Sequence, residues 1–246
     1  MNAVCLIREQ PLYRRDAFVS GLESIGAKVR FTFDGTANPD DVLVIWNRYG
    51  TNDQIASKFR RVIVCENGYL GRDWRGGHWY SMSLDHHNGA GRWYPGGPER
   101  WDSWGVDLAP WRETGETVIL PQRGAGPPGI AMPPWFVNEA KRFAPRARVR
   151  EHPGENDCVP LDVDLKDCGI VATWGSGAAI KALTMGIPVA HWFDRWIAKG
   201  AARIGKDGIE RPKRSGRLEM FRSLAWAMWN TEEIANGAPF RHLLLR

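Results

Sequence analysis

The chain lacks any run of about 18 apolar residues, so nothing in it reads as a membrane-spanning helix. Met1 to Arg15 carries a short apolar stretch and then charge, without a small-residue cleavage site, and no signal peptide is expected. The four cysteines, Cys5, Cys65, Cys158 and Cys168, form no CxxC pair. Cys5 and Cys65 lie in β-like apolar runs, as reduced, buried thiols would. A cytoplasmic protein is the expectation. There is no Walker loop, no GxGxxG, no internal repeat and no low-complexity segment. Asp162-Val163-Asp164 is a DxD triplet, but it is set among Leu161, Val163 and Leu165 and reads as the solvent face of a short element. Glu99-Arg100-Trp101-Asp102 reads as an anchored turn. No metal site is expected.

What is present describes an ordinary globular chain. Its 246 residues suffice for one large domain or two small ones, and 43% hydrophobic against 25% charged residues allows a buried core. The net charge of +5 favours an anionic partner. Much of the positive charge is arginine, whose planar fork suits phosphate. It is spread along the chain and forms no nucleic-acid stripe; the basic run from Lys206 to Arg217 reads as a solvated loop able to track a polyanion. Thirteen tryptophans are many for this length. Trp74, Trp79, Trp93, Trp101, Trp104 and Trp111 fall in Gly/Pro-rich sequence, where flat rings either line sites for sugars and bases or pin loops to a core.

The first part of the chain alternates strand and helix patterns. Ala3–Ile7 is a short apolar run; Arg14–Ile25 has helical spacing and stops at Gly26; Lys28–Phe33 alternates like a strand. Val42–Trp46 and Val62–Cys65 are β-branched runs of the kind buried in parallel sheets, with a helix-like Asp53–Phe59 between them. From Glu66 to Gly115 regular patterning stops, and a loop of that length is usually functional. Strands return at Thr117–Leu120, Ala147–Glu151, Cys168–Ala172 and Ile187–Ala190, with helices at Pro134–Phe143 and Ser176–Met185. An amphipathic helix is predicted over Gly216–Trp229. The expected fold is α/β with two Rossmann-like lobes and a cleft between them. The N-terminal lobe spans 1–114, with a Trp/Gly/Arg-rich loop at 66–114; the C-terminal lobe spans 115–215, and the closing helix and tail span 216–246.

Two stretches carry chemistry. In Ile170–Val189 a buried strand runs into Thr173-Trp174-Gly175-Ser176-Gly177 and a helix follows. Small residues there let a ligand approach bare N–H groups, and the helix dipole favours a phosphate. Ser176 can cap the helix or bond a phosphate oxygen; an ordinary tight turn would look similar. Arg150-Glu151-His152-Pro153 stands at the C-terminal end of a predicted strand, where ligands of open α/β sheets bind. His152 can donate to a phosphate there, with Pro153 stiffening the turn, although a lone His at such a place is often structural.

The pattern strand–HP–acidic loop–strand–T-x-x-S-G-x-A-x-x-A-L-x-x-G-x-P-V resembles the C-terminal lobe of capsular-polysaccharide-type glycosyltransferases, GT-B enzymes related to bacterial Kdo transferases and sialyltransferases. The resemblance implies a nucleotide-sugar donor, with His152 and Pro153 as the HP motif that contacts the nucleotide. Thr173, Ser176 and Gly177 would be its phosphate-binding turn; Gly175 and Arg150 are further candidate donor contacts. Ala182, Leu183, Gly186 and Pro188 match the helix that follows. Val64-Cys65-Glu66-Asn67-Gly68-Tyr69-Leu70 resembles the family's E-D-G-F-L segment, but Asn67 stands where that motif usually has Asp, the expected base.

Candidate replacements for that base are Glu66, at a strand end facing the expected cleft, and Asp85-His86-His87, where a carboxylate beside two imidazoles could orient a base. A plain surface loop or a stray metal site is the alternative for the histidines. Arg72, Arg75, Trp79, Arg92 and Trp93 are the candidate acceptor contacts. The acceptor implied is a hydroxyl on an anionic partner: a modified DNA base, as in bacteriophage DNA modification, or a surface glycan, as in polysaccharide biosynthesis. No cofactor beyond the nucleotide-sugar co-substrate is expected. A non-catalytic nucleotide- or nucleic-acid-binding protein retaining the fold is the alternative that Asn67 favours.

Overall fold

The computed structural model describes residues 1–10, 12–86, 89–124, 126, 128–152 and 159–245. In chain order the elements are β1 (Asn2–Cys5), α1 (Leu12–Glu23), β2 (Lys28–Arg30), β3 (Val42–Trp46), α2 (Thr51–Ala56), β4 (Arg61–Asn67) and β5 (Trp79–Leu84). Then come α3 (Glu99–Ser103), β6 (Glu116–Leu120), α4 (Phe136–Phe143), β7 (Arg148–Val149), α5 (Leu161–Asp164), β8 (Cys168–Thr173) and α6 (Gly177–Thr184). Next are β9 (Val189–His191), β10 (Arg203–Ile204), α7 (Gly205–Glu210) and α8 (Arg217–Ala225), and the chain ends with β11 (Met228–Asn230), α9 (Thr231–Ala235) and α10 (Ala238–Leu244). They form two compact α/β units. Unit 1 is Met1–Gly96 with Ala225–Arg246, and unit 2 is Gly97–Leu224.

Unit 1 holds a six-stranded sheet in the order β11-β5-β4-β3-β1-β2. β2, β1, β3 and β4 run parallel, β5 is antiparallel to β4, and β11 is antiparallel to β5. Successive residues of a strand face opposite sides, and the β-branched runs fill both. Cys5, Val44, Cys65, Tyr80 and Met82 share one core with Phe18 and Leu22 of α1 and with Ile234 and Phe240 near the C-terminus. Val4, Leu43, Ile45, Val62 and Val64 share the other with Ala56 and Phe59. Phe18 meets both Tyr80 and Phe240 edge-on, at 5.8 and 6.1 Å between ring centres. Gly21 marks the tightest approach: a Cβ there would lie 1.9 Å from the Ile234 carbonyl oxygen.

Parts of the chain differ from the sequence expectation; the stretch 206–217, read as a solvated loop, begins inside α7. The stretch 66–115, read as loop, contains β5, whose six residues are all buried. Its sequence WYSMSL hides the strand because Ser81 and Ser83 occupy buried positions. The helix predicted over Gly216–Trp229 ends at Ala225, and Met228–Asn230 pairs instead with Trp79–Ser81 as an edge strand. The DxD triplet lies in the short helix α5, where Asp164 forms ion pairs with Arg148 (2.9 Å) and Arg150 (2.5 Å).

Unit 2 holds a fully parallel five-stranded sheet in the order β10-β9-β8-β6-β7. From β6 the chain goes to β7 on one side and then to β8 on the other, so the winding reverses between β6 and β8. Ile119 and Ala172 pack with Phe136 and Ala140 of α4. α6 buries Ala179, Ile180, Ala182 and Leu183 while crossing from β8 to β9.

Candidate functional site

Open parallel sheets bind ligands beyond the carboxyl ends of their strands, at the point where the winding reverses. In unit 2 that point lies between the ends of β6 and β8, with Leu120, Thr173 and His191 side by side in register. Thr173 is fully buried; its hydroxyl donates to the Leu120 carbonyl (3.0 Å) and accepts from the Ser176 N–H (3.0 Å). These two bonds fold the chain sharply from strand into α6. Ser176 caps the helix, its oxygen accepting from the Ala178 N–H at 3.2 Å. That cap uses a lone pair and leaves the hydroxyl proton to give to a ligand oxygen.

The two glycines of the turn do different work. A Cβ on Gly175 would touch Phe193 and Trp196 at 3.2–3.3 Å, so the inner side of the turn is walled by rings. A Cβ on Gly177 would meet nothing within 4 Å. The space beside Gly177 is therefore open, at the positive end of the helix dipole. Trp174 is anchored beneath: its indole N–H donates to the Ile130 carbonyl (3.0 Å), and its ring stacks on Phe193.

Beyond β6 the chain continues as Pro121-Gln122-Arg123. The Gln122 amide donates to the Gly175 carbonyl (3.5 Å), and the Arg123 Nε–H donates to His152 Nδ1 (3.3 Å). Two consecutive residues thus tie the 173–177 turn to His152, which follows β7. Burial lowers the His152 pKa, and the positive charges of Arg123 and Arg150 lower it further, so the ring is neutral at neutral pH. Arg150 is held by Asp164 and by the Val159 carbonyl (2.9 Å), and in this way fixes the strand end from which His152 projects. Pro153 lies outside the described residues.

In unit 1, Glu66 is opposite Ser81 across β4 and β5. Glu66 is half-buried as a residue, and burial of its carboxyl pushes the pKa up to about 8. Tyr69 bonds the Ser81 hydroxyl, and the neighbouring Glu66 adds to burial in raising the phenol. Asn67, the residue after Glu66, is exposed at the strand end.

Asp85 and His86 stand elsewhere. The Asp85 N–H bonds the Val62 carbonyl (2.8 Å), near the start of β4, four positions before Glu66. That separation is about 13 Å of strand. The carboxylate of Asp85 is paired with Arg92 at 2.7 Å, and its carbonyl accepts from Arg48 (2.5 Å). His86 is buried, its carbonyl accepting from the Ser83 hydroxyl. His87 lies outside the described residues. The structure therefore does not bring Glu66 and Asp85–His86 into one constellation.

The acceptor candidates are largely engaged within unit 1. Arg72 is paired with Asp73 (2.8 Å), and Arg75 lies over the Trp74 ring at 4.8 Å. Trp79 is only 8% exposed and meets Trp74 edge-on; Trp93 packs against the core. Their rings serve as packing more than as open platforms. Sequence reasoning passed over Gln122 and Arg123, whose one visible signal was their place directly after the apolar run Thr117–Leu120.

No family model matches the chain, and no curated protein matches its sequence. Among solved structures, the chain is similar to the β-Kdo 2,4 transferase of Thermosulfurimonas dismutans KpsC, with a TM-score of 0.58, 16% identity, and coverage of 95% of this chain and 97% of that one. The two chains share a fold. The β-Kdo 2,7 transferase of the same KpsC aligns over 97% of this chain and 99% of that one, with a TM-score of 0.55 and 12% identity. Likeness at such identity concerns the fold, whose two parallel-strand sheets agree with two Rossmann-like lobes. Among the described residues no helix is long and apolar enough to cross a membrane.

Proposed function

We propose that the chain is a glycosyltransferase that moves a sugar from a nucleotide-sugar to a hydroxyl acceptor, with unit 2 holding the donor phosphate. The observation that carries this reading is the tie from Gly175 through Gln122 and Arg123 to His152, made at the point where the sheet reverses. It gathers the positive end of a helix with open space beside Gly177, a serine proton and an imidazole within one edge of one sheet. Those are the groups a departing nucleotide phosphate needs, since stabilising the leaving charge is a large part of such catalysis. The glycosyltransferase fold of the neighbouring structures supports the same reading.

In the transfer, the acceptor oxygen attacks the anomeric carbon and the bond from that carbon to the phosphate oxygen breaks. The electron pair goes to the phosphate, met by the positive end of the α6 dipole, Ser176 and His152. An inverting route also needs a base to take the acceptor proton, and Glu66, one position before Asn67, is the carboxyl we assign to that role. A base with a pKa near 8 is mostly protonated at pH 7 but strong once ionised. Charge stabilisation by N–H and O–H donors is proposed to need no metal, so chelation with EDTA should leave turnover unchanged.

The test is a thermal-shift screen with CMP, UDP and GDP, followed by turnover of the matching nucleotide-sugar. A shift with one nucleotide, lost in His152→Ala and Ser176→Ala, is expected. Binding without turnover on glycan or hydroxymethylated-DNA acceptors would favour the non-catalytic reading that Asn67 suggests.

A further inference from the structure

In the pair between Arg123 and His152, the guanidinium can only donate, so Nδ1 must be the acceptor. A ring nitrogen that accepts carries no proton, and the ring's single proton then sits on Nε2. The neighbouring guanidinium of Arg150 is committed to Asp164 and Val159. Arg123 is exposed and is not paired with any carboxylate among the described residues. Gln122 roots the same segment on the Gly175 carbonyl, which sets where Arg123 stands relative to the turn.

We infer that Arg123 is a positioning residue: its Nε–H holds His152 as the neutral Nε2–H tautomer, the form in which the ring can donate to the phosphate proposed above. The ligand side of this inference rests on the function proposed above; the tautomer does not. An imidazole in the opposite tautomer would present a lone pair to the phosphate and repel it. Arg123 thus makes a ring of indifferent orientation into a hydrogen-bond donor and adds its own positive charge beside it.

The experiment is nitrogen-15 NMR of histidine-labelled protein, with the His152→Ala spectrum identifying the signal among the six histidines. In the wild type, Nδ1 should appear as the unprotonated nitrogen and Nε2 as the protonated one. Arg123→Met should mix the tautomers and raise the pH at which the ring titrates, while Arg123→Lys should restore the charge but not the tautomer. CMP, UDP and GDP are the binding probes. For whichever binds, Arg123→Met should weaken affinity about tenfold, and should weaken it far less in a His152→Ala background. A wild-type signal with the proton on Nδ1, or a tautomer unmoved in both Arg123 variants, would overturn the inference. If the expected tautomer is found but none of the three nucleotides binds, the donor reading fails and the positioning role stands.

Discussion

Glu66 sets the pH behaviour of unit 1. Its pKa is raised from the ordinary 4.5 to about 8 by burial. The unfolded chain ionises this carboxyl at lower pH than the folded one, so the folded state loses stability as pH rises from about 4.5 to about 8 and no further above that. Partial exposure tempers the effect, which we expect to be about 2–4 kcal/mol over that window. Urea denaturation of the wild type and Glu66→Gln at about pH 5 and about pH 9 should show the slope in the wild type alone. If Glu66 is the base, turnover should climb towards pH 8 and fall by about 100-fold or more in Glu66→Gln. Gly177 gives a cleaner separation of folding from binding. Its Cβ position is open, so Gly177→Asp should fit and favour the helix dipole, leaving the melting temperature equal or higher. The same carboxylate should repel a phosphate and abolish nucleotide binding.

Among the elements, the contact between α1 and α9 tests how the C-terminal segment is held. Gly21→Ala would drive a methyl group into the Ile234 carbonyl, and we expect a loss of about 1–3 kcal/mol with faster hydrogen exchange across 228–244. The elements themselves were unevenly legible. β3 and β4 read directly as continuous β-branched runs, because burial on both faces selects such residues. The turn into α6 was visible because its small residues, cap and strand lie next to one another in sequence. β5 and β11 were not, since their pairing joins Trp79–Ser81 to Met228–Asn230 across most of the chain, and neither has a period of its own. Arg72 and Arg92 looked available for ligands because their carboxylate partners, Asp73 and Asp85, show as partners only once the backbone is folded. Gln122 and Arg123 escaped notice for a similar reason: their role depends on strand ends that are neighbours only in the sheet.

For the whole molecule, the chain starts and ends in unit 1, and Trp229, Ile234 and Phe240 belong to its core. The net charge of +5 bears on the acceptor. If that acceptor is DNA, its affinity should fall steeply with added salt, as released counterions demand, whereas a neutral glycan should be nearly indifferent. The claim under all of these expectations is that the start of α6, with His152, grips a phosphate. Isothermal titration of CMP, UDP and GDP into the wild type, His152→Ala and Ser176→Ala tests it most directly. One nucleotide should bind the wild type and bind each variant at least about tenfold more weakly. Equal binding to all three proteins, or no binding to any, would contradict it.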